Sequence, residues 1–233
     1  MRRARSAPRT ASLLVALVAL VASVAPRVVG AQIIRVPRKG QPTVWVTGGV
    51  AWYQSQAVND GTTNTVWDFG DAAQYRGSLE WALRNQASIG VAGSFARVPF
   101  RYLHGPGTTP PPTPCDGCDG HIDVSSLVGL FRIGGGEGFH QVIEGQAGVT
   151  RYSKLRADDG TELAPDTDQD FTFALGYGVG YGFGPRFQIS VVQDFGFNLH
   201  QKAGLTNNAN TTIQNRVTRL TLRYGLFSQK PKV

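Results

Sequence analysis

Between residues 171 and 183 the chain places a large apolar side chain at every odd position: Phe171, Phe173, Leu175, Tyr177, Val179, Tyr181 and Phe183. The even positions hold only Thr172, Ala174, Gly176, Gly178, Gly180 and Gly182. A period of two is that of a β-strand, whose successive side chains point to opposite faces; on a helix the same aromatics would scatter around the axis. The stretch therefore commits the chain to a strand with one bulky apolar wall and one nearly bare wall. Its length exceeds the five or six residues usual for a strand in a soluble protein.

The same period recurs along residues 43–227, with almost no helical periodicity between. Eight strands are expected, near 44–55, 67–83, 88–102, 121–133, 140–153, 171–183, 187–199 and 216–227. Most reach the roughly 9–11 residues that a tilted strand needs to cross a bilayer. Their connections alternate in length. Short ones are Arg84-Asn85-Gln86, the glycine-rich turn at 134–138 and Gly184-Pro185-Arg186; long polar ones lie around Asn59-Asp60-Gly61 and over 105–120, 154–170 and 201–214. Alternating long and short connections belong to an up-and-down barrel whose two ends face different compartments. The expected fold class is all-β: an eight-stranded antiparallel up-and-down transmembrane β-barrel.

In these strands and loops the chain resembles the small outer-membrane β-barrel family of the OmpA and OmpX type, across essentially all of 43–227. The resemblance implies short turns in the periplasm and long loops outside a diderm, Gram-negative-type cell. It further implies outer-membrane lipid around the wall, the barrel-assembly machinery as a partner during insertion, and a possible extracellular ligand at the loops. Such barrels often end on an aromatic residue, whereas here Phe227 is followed by a short tail, 228–233.

The direction of the faces follows from the charges. Tyr75, Leu79, Trp81 and Leu83 alternate with Arg76 and Glu80; Leu220, Leu222, Tyr224 and Leu226 alternate with Arg219, Thr221 and Arg223; Phe187, Ile189, Val191, Phe195 and Phe197 oppose Gln188, Ser190, Asp194 and Asn198. A water-facing wall would carry many more Lys and Glu. An arginine or lysine on a lipid-facing wall costs about 2–4 kcal/mol near the bilayer midplane, and Asp or Glu less. The apolar set, including all seven bulky residues of 171–183 and Leu220, Leu222, Tyr224 and Leu226, is thus expected to face lipid. Arg76, Glu80, Glu144, Asp194, Arg219 and Arg223 are expected inside as a paired network, in volume left by the glycine wall. Arg97, Arg132 and Arg151 are placed near membrane boundaries, and Trp52, Tyr53, Trp67, Trp81, Tyr102 and Tyr152 are candidates for interfacial girdles. A soluble lipocalin-like barrel, with the bulky wall turned inward around a ligand, is the rival fold.

Residues 1–31 read as a cleaved secretory signal: Arg2, Arg3, Arg5 and Arg9, an apolar core over 13–25, and a small-residue cleavage site at Val29-Gly30-Ala31. Residues 32–42 form a short basic lead-in. The signal, with Arg27, holds five of the 23 basic residues and none of the 16 acidic ones, so the mature balance is 18 − 16 = +2. That balance removes the case for nucleic-acid binding.

Few residues suggest chemistry. Cys115 and Cys118, in an exported chain, are expected to form a disulfide; with His104 and His121 they are a looser match to a zinc site. The acids Asp158, Asp159, Glu162, Asp166, Asp168 and Asp170 lack the glycine and distal glutamate of a calcium loop and read as solvated charge. The glycines at 176–182 are spaced by two with no following helix, so they are no phosphate loop. His121 lies near Ser125 and Ser126 in sequence but has no evident orienting acid. No cofactor, metal or catalytic residue is assigned. The expected role is structural or surface-interacting, with a narrow channel or a lipid A-modifying enzyme as alternatives.

Overall fold

The computed structural model describes residues 41–60, 65–83, 86–104, 117–164, 168–199 and 212–228. The expected signal and most of the expected lead-in, Cys115, Asp166, the bulk of loops 105–120 and 201–214, and the tail after 228 lie outside the described residues.

The described elements are β1 (Pro42–Ser55), β2 (Val58–Asp60), β3 (Thr65–Phe69), β4 (Ala72–Ala82), β5 (Ala87–His104), β6 (Asp119–Ile133), β7 (Gly138–Ala157), β8 (Glu162–Ala164), β9 (Asp168–Gly182), β10 (Phe187–Leu199) and β11 (Thr212–Ser228). Eight of them close a ring in the order β1-β4-β5-β6-β7-β9-β10-β11, each pairing antiparallel with its neighbours and β11 pairing back to β1. This is a closed up-and-down β-barrel.

The ladders fix its tilt. From Val50 through Tyr75, Phe95 and Ser125 the register arrives at Arg151 on β7; from Val50 the other way, through Leu220, Val191 and Val179, it arrives at Gln141. The stagger is 151 − 141 = 10 residues. With a strand spacing of about 4.8 Å and a rise of about 3.3 Å per residue, ten residues of stagger over eight strands tilt the strands by about 40°.

The expected second strand, 67–83, is divided. Gly70 N donates to Pro99 O at 2.8 Å, and β3 and β4 pair with β5 on either side of this point. In an antiparallel strand the N–H and C=O of a residue face the same neighbour, so the amide hydrogen that Pro99 lacks would have pointed here. The missing donor accounts for the interruption. Segments expected as loop contribute β2, β8 and the first residues of β11, which lengthen the wall at the loop end. The tight turn after β6 needs its glycines: Gly134, Gly135, Gly136 and Gly138 have φ of 111°, 144°, 111° and 75°, a region unfavourable to other residues.

Candidate functional site

Through the height of the belt each strand keeps one parity, which divides the side chains into two environments; on β7 the parity shifts above the belt, at the bulge between Ser153 and Arg156. Outward on β9 stand Phe171, Phe173, Leu175, Tyr177, Val179 and Tyr181, with Phe183 just past its end, and outward on β11 stand Leu220, Leu222 and Tyr224, all exposed, with Leu226 half-buried. Tyr75, Leu79, Trp81, Leu83, Ile89, Val91, Phe95, Leu127, Phe131 and Ile133 continue the belt on β4, β5 and β6 and in the turn after β4. On β7 it runs from Phe139 to Val149, ten residues or about 25 Å along the barrel axis at this tilt. That height matches the apolar band of transmembrane barrels.

Inside the belt lies a charged network. Arg223 Nη2 donates to Glu80 Oε2 (2.7 Å) and to Ser88 Oγ (3.0 Å), and its guanidinium carbon stands 4.1 Å from the centre of the inward-facing Trp45 ring. Glu80 also accepts from Thr47 (2.9 Å), Ser78 (3.0 Å) and Ser88 (2.7 Å). Arg219 grips Asp194 with Nε (2.7 Å) and Nη2 (3.2 Å), and Nη2 pairs with Glu144 as well. Glu144 is shared: Arg132 Nη1 donates to its other oxygen at 3.0 Å. Charge-assisted, partly bidentate bonds of this kind are the strong ones, and buried carboxylates need them.

Two placements differ from the sequence reading. Arg132, expected at a membrane boundary, is 1 % exposed and sits in this network. Its strand is apolar on both faces, with Val124, Val128 and Leu130 buried inside and Leu127, Phe131 and Ile133 outside, so alternation did not mark its side. Arg76 faces inward yet forms no ion pair among the described residues, and its Nη2 has no hydrogen-bond partner among them. The three acids are already held by Arg132, Arg219 and Arg223. Arg76 instead lines a cavity of about 50 Å³ with Gln74, Ser94, Ser126, Gln146 and Asp194. This is room for about one or two waters.

The glycine wall makes these contacts possible. A Cβ on Gly176 would meet Asp194 Oδ1, Val192 at 3.1 Å and Glu144 at 3.4 Å; on Gly178 it would meet the backbone of Val191 and Val192; on Gly180, His140 Nε2. Glycine is required there because long side chains and a neighbouring strand occupy the space that a methyl group would need.

Toward the loop end the interior changes character. Tyr53, Val98, Phe100, Tyr102, Ile122, Val124 and Val217 form a buried apolar cluster, with Trp67, Phe69, Cys118, Tyr152 and Leu155 packed against it. Tyr53 and Tyr102 are only 4 % and 3 % exposed, so they are core residues and no part of an interfacial girdle. Trp67 packs against Tyr102 with the rings tilted by 59° and their centres 4.7 Å apart. Trp52 and Trp81 do face outward, at 53 % and 47 % exposure, and Trp52 Nε1 donates to Asp71 at 3.2 Å. Over the same height the outer wall is polar: Arg97, Arg101, Asp119, Arg151, Lys154 and Arg156. On β5, β6 and β7 the barrel thus inverts its polarity along its axis, apolar outside and charged inside below, charged outside and apolar inside above, whereas β9 and β10 keep Phe171, Phe195 and Leu199 outside and Asp170, Thr172 and Asn198 inside.

The remaining candidates are dispersed. In the acidic loop Asp158, Asp159 and Glu162 are exposed, and the Thr161 amide donates to Asp159 (2.8 Å), holding that carboxyl below its ordinary value. Asp170, read as solvated, is 1 % exposed and faces inward on β9. His121 faces outward while Ser126 faces inward and shares a 2.6 Å hydrogen bond with Ser94. Ser125 shares the face of His121 but lies four residues along the strand, about 13 Å at strand rise. Among the described residues no group of three His, Cys, Asp or Glu is placed to hold a metal.

No protein-family model matches the chain, and no curated protein matches it. Among solved structures it is similar to Neisserial surface protein A, at 12 % identity and a TM-score of 0.48, covering 81 % of this chain and 100 % of that one. It is also similar to Ail, the attachment invasion locus protein of Yersinia pestis, at 17 % identity and 0.40, covering 80 % and 100 %. A third is the outer membrane protein OprG from Pseudomonas aeruginosa, at 10 % identity and 0.41, covering 81 % and 98 %.

Proposed function

We propose that the chain is an exported outer-membrane barrel of a diderm envelope, inserted by the barrel-assembly machinery, whose interior is closed by side chains and whose wall and loops beyond the membrane serve a structural or surface-interaction role. One observation carries this reading: an outward apolar band about 25 Å tall surrounds a buried charged network, the inverse of a soluble ligand-binding barrel. The closed interior supports a non-conducting, non-enzymatic role. Below, Arg132, Glu144, Asp194 and Arg219 interlock across the lumen; above, the aromatic cluster fills it. An eight-stranded barrel leaves an interior just wide enough for side chains to fill.

The test is membrane fractionation of the expressed protein, followed by gel mobility in detergent with and without boiling. A membrane-bound band that shifts on heating is expected; a soluble, unshifted monomer would overturn the reading. Steady conductance in planar bilayers would overturn the closed interior, and a lipid A mass change dependent on the protein would overturn the non-enzymatic role. The Cys115–Cys118 disulfide belongs to the same proposal: export to an oxidising compartment supports it. Alkylation before and after reduction checks it, with labelling expected only after reduction.

A further inference from the structure

The polarity inversion leaves a basic surface on the outer wall of β5, β6 and β7, directly above the apolar belt. Phe95, Leu127 and Val149 close the belt here, and the next outward positions along these strands bring Arg97, Arg101, Arg151, Lys154 and Arg156 against only Asp119 and Asp123. Asp123 is shared by Arg97 (2.8 Å) and Lys154 (3.5 Å), and Asp119 stands 3.5 Å from Arg101. Arg151 and Arg156 are exposed and form no ion pair among the described residues, although Glu162 stands opposite Arg156 across the β7–β8 ladder. At the upper edge of this layer the sign reverses again, at Glu162 opposite Arg156 and at Asp158 and Asp159 in the turn beyond. The cations are therefore confined to one layer, between hydrocarbon-facing residues on one side and carboxylates on the other.

We infer that this layer docks the phosphorylated headgroup of the lipid in the leaflet the barrel crosses. The occupant is set by position and charge. Guanidinium groups suit phosphate oxygens in bidentate geometry, and basic residues beside a membrane attract anionic headgroups. A headgroup is held at the height of the layer by its own acyl chains lying against Phe95, Leu127 and Val149. A soluble polyanion would have to approach past the acidic β7–β8 turn. The inference rests on the membrane-spanning reading and adds a ligand class to it.

The test uses the mature chain folded in phosphatidylcholine vesicles and then exchanged into a zwitterionic detergent. Native mass spectrometry measures binding of bisphosphorylated lipid A, its dephosphorylated form and inorganic phosphate. Binding that needs both the acyl chains and the phosphates, and that weakens with salt, is expected. The double variant Arg151→Gln, Arg156→Gln breaks no ion pair among the described residues and leaves only the exposed Glu162 opposite position 156, so it should keep its heat-shifted mobility while its affinity for the phosphorylated lipid falls at least about tenfold. Equal binding of the dephosphorylated lipid, equal or tighter binding of a soluble sulfated polysaccharide, or an unchanged affinity in the double variant overturns the inference. A protein that inserts and shows any of these fails only here; one that never folds into phosphatidylcholine vesicles overturns the membrane reading and this inference together.

Discussion

Glu144 is the joint of the interior network, because its two oxygens answer two arginines on different strands, Arg132 and Arg219. Glu144→Gln keeps the shape and one acceptor but removes the charge. Counting Arg76, Arg132, Arg219 and Arg223 against Glu80, Glu144 and Asp194, the network changes from 4 − 3 = +1 to 4 − 2 = +2. Removing one partner of a buried pair costs about 3–5 kcal/mol. Arg219 retains its two bonds to Asp194, so the lower end, about 3 kcal/mol, is expected. The assay is urea unfolding of the vesicle-folded protein, followed by tryptophan fluorescence and by the heat-shifted gel band. Glu137→Gln, at the exposed turn, is the control and should stay within about 0.5 kcal/mol. Adding Arg132→Met to Glu144→Gln removes the orphaned cation and should recover about half of the loss, a non-additivity that a double-mutant cycle reads directly. A single variant costing under about 1 kcal/mol, or strictly additive effects, would refute the view that these residues act as one buried unit.

Arg223→Glu sets a carboxylate beside Glu80 and removes the cation over Trp45, and should lower the unfolding temperature; no change would count against the network. Leu175→Arg, outward near mid-belt at 69 % exposure, should destabilise the vesicle-folded barrel by about 2–4 kcal/mol, while Leu103→Arg, above the belt, should be near neutral in the same titration. Gly178→Val drives a side chain into the backbone of Val191 and Val192 and should abolish the heat-shifted band, whereas Gly145→Val, with nothing within 4 Å of its Cβ position, should keep it.

The sequence is most legible where one face is apolar and the other small or polar. β9, β10 and β11 are of this kind, and their alternation alone states which residues share a wall. β5 and β6 are harder, for a reason the structure supplies. On β5 the outward row begins Ile89, Val91 and Phe95 and continues Arg97 and Arg101, while the inward row ends Val98, Phe100 and Tyr102. Parity never slips, but the apolar row changes sides as the strand leaves the membrane. A single-face reading of such a strand averages two environments. The same averaging sends Tyr53 and Tyr102 to an interfacial girdle and Arg132 to a boundary. Which acid answers which arginine is not carried by any one strand, since Arg223 and Glu80 meet only when β11 and β4 close on either side of β1.

The inversion also locks the barrel vertically. Sliding it by two residues along its strands, about 5 Å along the axis at this tilt, would carry Arg97 and Arg151 toward hydrocarbon in one direction. In the other it would lift Phe95, Leu127 and Val149 into the headgroups and bring the short turns up to the lipid edge. Each arginine drawn toward the midplane adds a cost rising to about 2–4 kcal/mol, and these stops stand together on β5 and β7, the side of the barrel that carries the basic layer. The wall therefore carries its own depth gauge: how far the loops stand above the membrane is set by the strands beneath them.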